Sequence, residues 1–488
     1  MKVKFEDLPI VKAYALKGKI LVKILRGLLW VLHIFKGKSW QRPPQYFHDD
    51  PRHYTTLNIL FFAYKYYFKS PLKDDADGKI EAFIKANPPI FDHENFKIES
   101  EITLHAGGDL MPYEWTQPQF CKHLWDDIGD DFFNADIRFA NLETPIDTSK
   151  PASLVPEVML NDMNFNGDKE MFSLFNPTER VPQYFYQKYQ KKWSFDVLST
   201  ANNHSLDMNE EGVFTTIDFL EKQGIKHVGT SKTKENRLNF PIIEQNGIKI
   251  AFIAYTFSMN QLTNPEGQEW LVNHFEVNQP NADLSPLKHD IFYARNVKKA
   301  DFVVLSLHYG NAYQPYPAAH IFENTKRIFD ECGCDVILGG HAHNVQPAMR
   351  YDFTCPMRFQ KKQGFVLFGF SDFVAYDIFT WCHLSVYLKM RIGKGKKIDT
   401  VEERNPDYLG KGVDETVLLE AVMKPVYACG VYHDENNRDL RLLDAEKWLE
   451  KIEKEGKPDF MTNWNVRELR GLMDFYKRKI IFDELNPQ

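Results

Sequence analysis

Five short polar segments, each following an apolar run, carry the residue types from which a metal centre is built. They are Gly107-Gly108-Asp109, Asn141-Leu142-Glu143, Asn202-Asn203-His204, Leu307-His308-Tyr309-Gly310 and Gly339-Gly340-His341-Ala342-His343. The runs before them, EITLHAG, ADIRFA, FDVLSTA, DFVVLS and DVIL, are β-branched or otherwise apolar. A strand that ends this way places its polar residue at the carboxyl edge of a sheet, where open α/β sheets bind their substrates. Carboxylate, amide oxygen and imidazole together suit hard or borderline divalent ions. Singly, each segment has an ordinary reading. Asp109 after two glycines reads as a turn, His308 as a satisfied core histidine, and Asn202-Asn203-His204 as a helix cap. The combination and its order carry the inference.

The elements that must position these residues begin at Glu101. Strands are expected near 101–106, 136–140, 195–200, 226–229, 248–256, 301–307, 335–338, 364–370 and 382–391. Helices fit 210–224, 288–299 and 319–333. This alternation argues for α/β layering around a largely parallel sheet. The stretch from 145 to 193 carries few regular signals, and a loop of that length is expected to border the active-site cleft. From about 414 onward the chain reads as helices, in DETVLLEAVMKPVYACG, DAEKWLEKIEKEG and NVRELRGLMDFYKRKIIFDEL.

The chain has 488 residues and a formal net charge of -7, which argues against a nucleic-acid partner. Its six cysteines are too sparse for a disulfide framework and fit a reducing compartment. The N-terminus is the compositional outlier: Lys2, Lys4, Lys12, Lys17, Lys19, Lys23, Arg26, Lys36 and Lys38 face Glu6 and Asp7. Within GKILVKILRGLLWVLHIFKGK, Lys19, Lys23, Arg26 and His33 share one helix face. The apolar run is too short to span a bilayer, and no cleavage site follows it. Two readings stand: a helix lying on an anionic membrane surface, or an amphipathic helix packed on the protein's own core. The expected location is cytoplasmic, or membrane-associated through this helix.

The runs STANNHSLDMNEEG, DFVVLSLHYG and DVILGGHAHNVQP, with GGDLM and NLETPI before them, resemble the CapA-like family of capsule and poly-γ-glutamate biosynthesis proteins. That family looks like a branch of the calcineurin-like metallophosphoesterases. The resemblance covers roughly residues 101 to 375. It implies an α/β fold: a calcineurin-like β-sandwich flanked by helices, with N- and C-terminal helical additions. The expected layout is a basic amphipathic segment (1–40), a helical elaboration (41–100), the CapA-like core (101–395) and a helical extension (396–488).

Carried over by position, the resemblance implies two divalent metal ions (Mn, Fe or Zn). Asp109 and His343 would hold the first, Asn203, His308 and His341 the second, and Glu143 would bridge them. His204 would serve as general acid, with Asp207 orienting it or capping the helix near 210. Such a pair of ions can hold both the attacking and the leaving oxygen of a displacement. The chain departs from the family pattern at three places. Met111 stands where an Asp-x-His motif has its His. Ala312 stands where many members have Glu in His-Trp-Gly-x-Glu-Tyr. Gly369-Phe370-Ser371-Asp372-Phe373 stands for Gly-Asn-Phe. The leading expectation is a metal-dependent hydrolase of a phosphoester or polymer substrate. The alternatives are a non-catalytic accessory subunit working with capsule-synthesis proteins at a membrane polymer synthase, and a metal-dependent amide hydrolase.

Overall fold

The computed structural model describes residues 13–44, 49–160, 163–397 and 413–483. Lys2, Lys4 and Lys12 of the basic N-terminal run lie outside them. Three helices come first: α1 (Leu16–Lys36), α2 (Thr56–Tyr67) and α3 (Lys79–Ala86). The strands are β1 (Phe96–Leu110), β2 (Ile137–Leu142), β3 (Val197–Ser199), β4 (Lys226–Val228), β5 (Ile242–Gln245), β6 (Ile248–Thr256) and β7 (Phe302–His308). They continue as β8 (Val336–Gly340), β9 (Ala348–Thr354), β10 (Lys361–Leu367), β11 (Asp372–Val374), β12 (Leu384–Lys397), β13 (Val413–Asp434) and β14 (Asn437–Asp444). Between them run α4 (Gly129–Phe133), α5 (Lys169–Phe175), α6 (Gln183–Tyr189), α7 (Asn209–Lys222), α8 (Ser285–Phe292) and α9 (Ala319–Arg327). Helices α10 (Ala445–Glu455) and α11 (Asn463–Phe475) follow the last strand.

Two sheets face each other. The first has the order β14-β13-β12-β1-β2-β3-β4, with β11 also on β1; the second has the order β5-β6-β7-β8-β10-β9. Both are mixed. Strands β1 to β4 are parallel, while β12, β13 and β14 join antiparallel. In the second sheet β6, β7, β8 and β10 are parallel, and β5 and β9 close its edges antiparallel. The two sheets, each with a parallel centre, form the helix-flanked sandwich that the family resemblance implies.

The period-two alternation of a strand explains the layering. In β6, Phe252 and Ala254 join the core between the sheets, and Phe252 stacks on Phe139 of β2 at 5.7 Å. Ala251 and Ile253 point the other way, into a second core with Leu287 and Ile291 of α8 and Ile321 and Phe322 of α9.

The C-terminal reading is corrected as well. DETVLLEAVMKPVYACG forms most of β13, paired along its length with β12 and then β14. The helices begin at Ala445, and α11 docks through Glu468, which accepts a 2.6 Å bond from the Tyr427 hydroxyl.

Helix α1 packs on α2 through Val22, Leu29 and a 2.7 Å contact between His33 Nδ1 and the Tyr64 hydroxyl. Its opposite face, with Leu16, Ile20, Ile24, Leu28, Val31 and Phe35, is 50–79% exposed. Among the described residues, no helix is long and apolar enough to cross a membrane. Helix α2 is tied to the core by Tyr66, whose hydroxyl donates to Asp377 at 2.7 Å, and the turn after it by Ser70, which donates to the Tyr313 carbonyl at 2.9 Å.

Candidate metal centre

The carboxyl ends of β1, β2 and β3 meet those of β7 and β8. Asp109 sits near the end of β1, Glu143 follows β2, Asn203 follows β3, His308 ends β7, and His341 and His343 follow β8. The six side chains named as candidate ligands come together. His308 Nε2 lies 2.8 Å from Asn203 Oδ1 and 3.4 Å from Glu143 Oε1. Asp109 Oδ2 accepts the His341 backbone N–H at 3.1 Å. Two groups have their ligand atoms within 4.8 Å of one another: Glu143, His308 and His341, and Asp109, Glu143 and His343. They share Glu143.

Local backbone geometry makes this approach feasible. His341 and His343 adopt φ of 78° and 52°, a left-handed conformation uncommon outside glycine and frequent at functional sites. A Cβ on Gly340 would lie 2.9 Å from His308 Nδ1 and 3.0 Å from Asp109 Oδ1, so a side chain there would press into both.

The site is buried, and its polar atoms are only partly satisfied within the protein. Glu143 is fully buried, and neither carboxylate oxygen receives a hydrogen bond. Both ring nitrogens of His341 are likewise without one. Orphaned buried acceptors are costly, and native sites of this kind usually hold an ion or water. Burial, with Glu143 close by, pushes the Asp109 carboxyl up to about 8. Burial pushes His308 down to about 3 and His341 down to about 4, which keeps both imidazoles neutral, the form that ligates metal. His343 goes the other way. Burial alone would lower it, but Asp372, 2.7 Å from its Nδ1, carries it up to about 10. With the protons of Asp109 and His343 displaced, the donor set of three imidazoles, two carboxylates and an amide oxygen suits divalent metal. A third acidic group, Asp50, His53 and Glu276, is partly exposed, and Arg52 already bridges its two carboxylates at 2.6 and 3.2 Å.

His204 lies at the edge of this group. Its Nδ1 is 2.6 Å from Asp207 Oδ2, and its ring stacks on Phe165 at 3.9 Å. Burial opposes its charged form, but Asp207 outweighs burial and raises its pKa. Of the two roles open to Asp207, the contacts match orientation. Helix α7 has Met208 at its N-cap, without a side-chain cap, and Asp207 also accepts the Phe165 N–H at 2.6 Å. Phe165 brings the 145–193 stretch against His204 and Asp207, and that stretch contains α5 and α6.

Met111 is buried with Tyr113, Val155, Phe165 and Ala375, so an apolar wall stands at that position. Asn141 opens the motif that ends in Glu143, yet the sequence gives it no role of its own. Its Nδ2 donates to Asp109 Oδ1 at 2.8 Å and to His308 Nδ1 at 3.3 Å. Asp49 was also missed. It approaches His341 from a polar segment, HDDPRHY, that carries no local signal of a site.

A family model described as bacterial capsule synthesis protein PGA_cap matches residues 103–377. The chain is also similar to the PGA biosynthesis protein CapA of Bacillus subtilis (strain 168), with 26% identity over 171 residues. That match covers 34% of this chain and 42% of the relative, less than half of its length. The family match spans more than half of the chain and contains both candidate half-sites, and on that ground the protein belongs to the bacterial capsule synthesis family PGA_cap.

Proposed function

We propose that the protein is a metal-dependent hydrolase of the phosphoesterase type, working in capsule or exopolymer (poly-γ-glutamate) metabolism. The observation that carries this reading is Glu143, a fully buried carboxylate with no hydrogen-bond donor, shared between two groups of potential ligands. Asp109 and His343 would hold one ion, Asn203, His308 and His341 the other, and Glu143 both. Bound there, divalent ions supply Lewis acidity to the attacked centre and to the attacking water.

The chain's own residues do the rest. Asp207 holds His204 by Nδ1, which leaves Nε2 to carry a proton to a leaving oxygen. Phe165 covers one face of that imidazole and keeps water from it. Asn141 holds Asp109 and His308 in register across the two sheets. Elemental analysis of the purified protein, with a screen on generic phosphomonoesters, phosphodiesters and γ-glutamyl amides, tests the reading. Metal together with phosphoester turnover supports it. Metal with amide cleavage alone replaces the substrate class, and absence of both sinks it.

A second reading is a non-catalytic accessory protein at a polymer synthase, favoured by the apolar Met111 wall beside the first half-site. It expects bound metal without turnover. Under either reading we propose that α1 rests on an anionic membrane surface. Its exposed apolar strip is flanked by the exposed Lys17, Lys19 and Lys23, a combination that fits acidic headgroups over an acyl boundary.

A further inference from the structure

Asp49 precedes the family-matched region, which begins at residue 103, yet its side chain lies in the candidate centre. It is 3% exposed, and its Oδ2 stands 3.5 Å from His341 Nε2. Three groups hold that carboxylate in place. The Ala312 backbone N–H donates to Oδ2, and the Tyr54 hydroxyl donates to Oδ1 at 2.8 Å. Lys65 of α2, wholly buried between Phe61 and Phe62, puts its ammonium 3.6 Å from Oδ2. Buried charges persist where they are paired and hydrogen-bonded, so this arrangement is built rather than incidental. The contact at Ala312 ties this carboxylate to the segment that follows His308, which shares a half-site with His341.

We propose that Asp49 is a positioning residue for His341 in the half-site of Glu143, His308 and His341, and that the N-terminal helical segment is thereby part of the functional centre. Imidazole ligands commonly depend on a carboxylate that fixes their ring, and losing that partner typically weakens metal affinity about 10–100-fold. Tyr54, Lys65 and the Ala312 N–H hold the Asp49 carboxylate with Oδ2 3.5 Å from His341 Nε2. The assignment rests on the metal-centre reading above.

The test is calorimetric titration of Mn²⁺ alone into metal-stripped full-length protein, with thermal unfolding of each stripped variant as the folding control. The parent is expected to show two binding events, and His341→Ala should identify the one that belongs to its half-site. Asp49→Asn, which keeps the shape and removes the charge, is expected to weaken that same event about 10–100-fold and leave the other unchanged. Tyr54→Phe, a milder change should Asp49→Asn not fold, is expected to weaken the same event by a smaller factor. A folded Asp49→Asn or Tyr54→Phe protein with both events at parental affinity overturns the proposal, as does equal loss of both events. A parent that binds no Mn²⁺ overturns the metal-centre reading and this assignment together.

Discussion

Glu143 Oε1 lies 3.4 Å from His308 Nε2, and neither side chain meets solvent. The two residues come from different sheets, so their approach fixes where the sheets' carboxyl edges join. Glu143 belongs to both candidate half-sites, whereas His343 belongs to one. Glu143→Ala should therefore abolish both metal-binding events, while His343→Ala should remove one and spare the other. Metal content by elemental analysis and calorimetric titration check this. Two intact events in Glu143→Ala would show that the carboxylate bridges nothing.

His204 offers a separable test of mechanism. Its imidazole is held by Asp207 and Phe165, and its removal takes away no member of either metal group. His204→Ala should keep the parental metal content and lower phosphoester turnover about 10²–10⁴-fold. Asp207→Asn should fall between the two, because it disturbs the ring's orientation and leaves the ring present. Loss of metal in His204→Ala would instead make it a ligand.

His105 predicts an acid sensitivity that has nothing to do with catalysis. The side chain is 3% exposed, and its Nδ1–H donates to the Phe132 carbonyl at 2.8 Å. Burial lowers its pKa from 6.5 to about 4. Below pH 6.5 the unfolded chain takes up this proton and the native chain does not, so its stabilising effect is complete above that pH. It is lost progressively as pH falls from about 6.5 towards 4, to a limit of about 3 kcal/mol. His105→Gln, which keeps a donor and cannot titrate, should flatten the pH dependence of the urea midpoint in that window relative to the parent. Parallel profiles for the two proteins would exclude His105 as a source.

The surface of α1 is tested with vesicles. Ile24 and Leu28 are 56% and 66% exposed on its outer face. Ile24→Glu with Leu28→Glu should prevent cosedimentation with anionic vesicles without changing the thermal unfolding of the core. Replacing Lys19 and Lys23 with Gln should weaken binding by roughly 1 kcal/mol per removed cation, and high salt should weaken it too. A parent protein that never binds such vesicles rules out this surface as a membrane contact.

The candidate ligands were legible in the sequence because strands advertise themselves locally. An apolar run ending in Asp109, Glu143, Asn203, His308 or His341 needs no partner to be read, and the family motif supplied the order. The segment DETVLLEAVMKPVYACG shows where that logic fails. Leu418, Leu419, Val422 and Met423 recur at helical spacing, so local pattern favours a helix. Pairing with β12 over fourteen residue pairs, from Val413 to Tyr427, decides for a strand instead. Strand preference is a property of neighbours more than of the residue itself.

Asp49 marks the same division at the level of a single side chain. Sequence determined that the 41–100 region would be helical and aromatic. Only the fold decided that α2 would press Lys65 against Asp49 and place Asp49 on the Ala312 N–H beside His341. A carboxylate's role depends on which charges and donors surround it in space. Residues separated by more than two hundred and fifty positions acquire those surroundings only when the chain closes on itself.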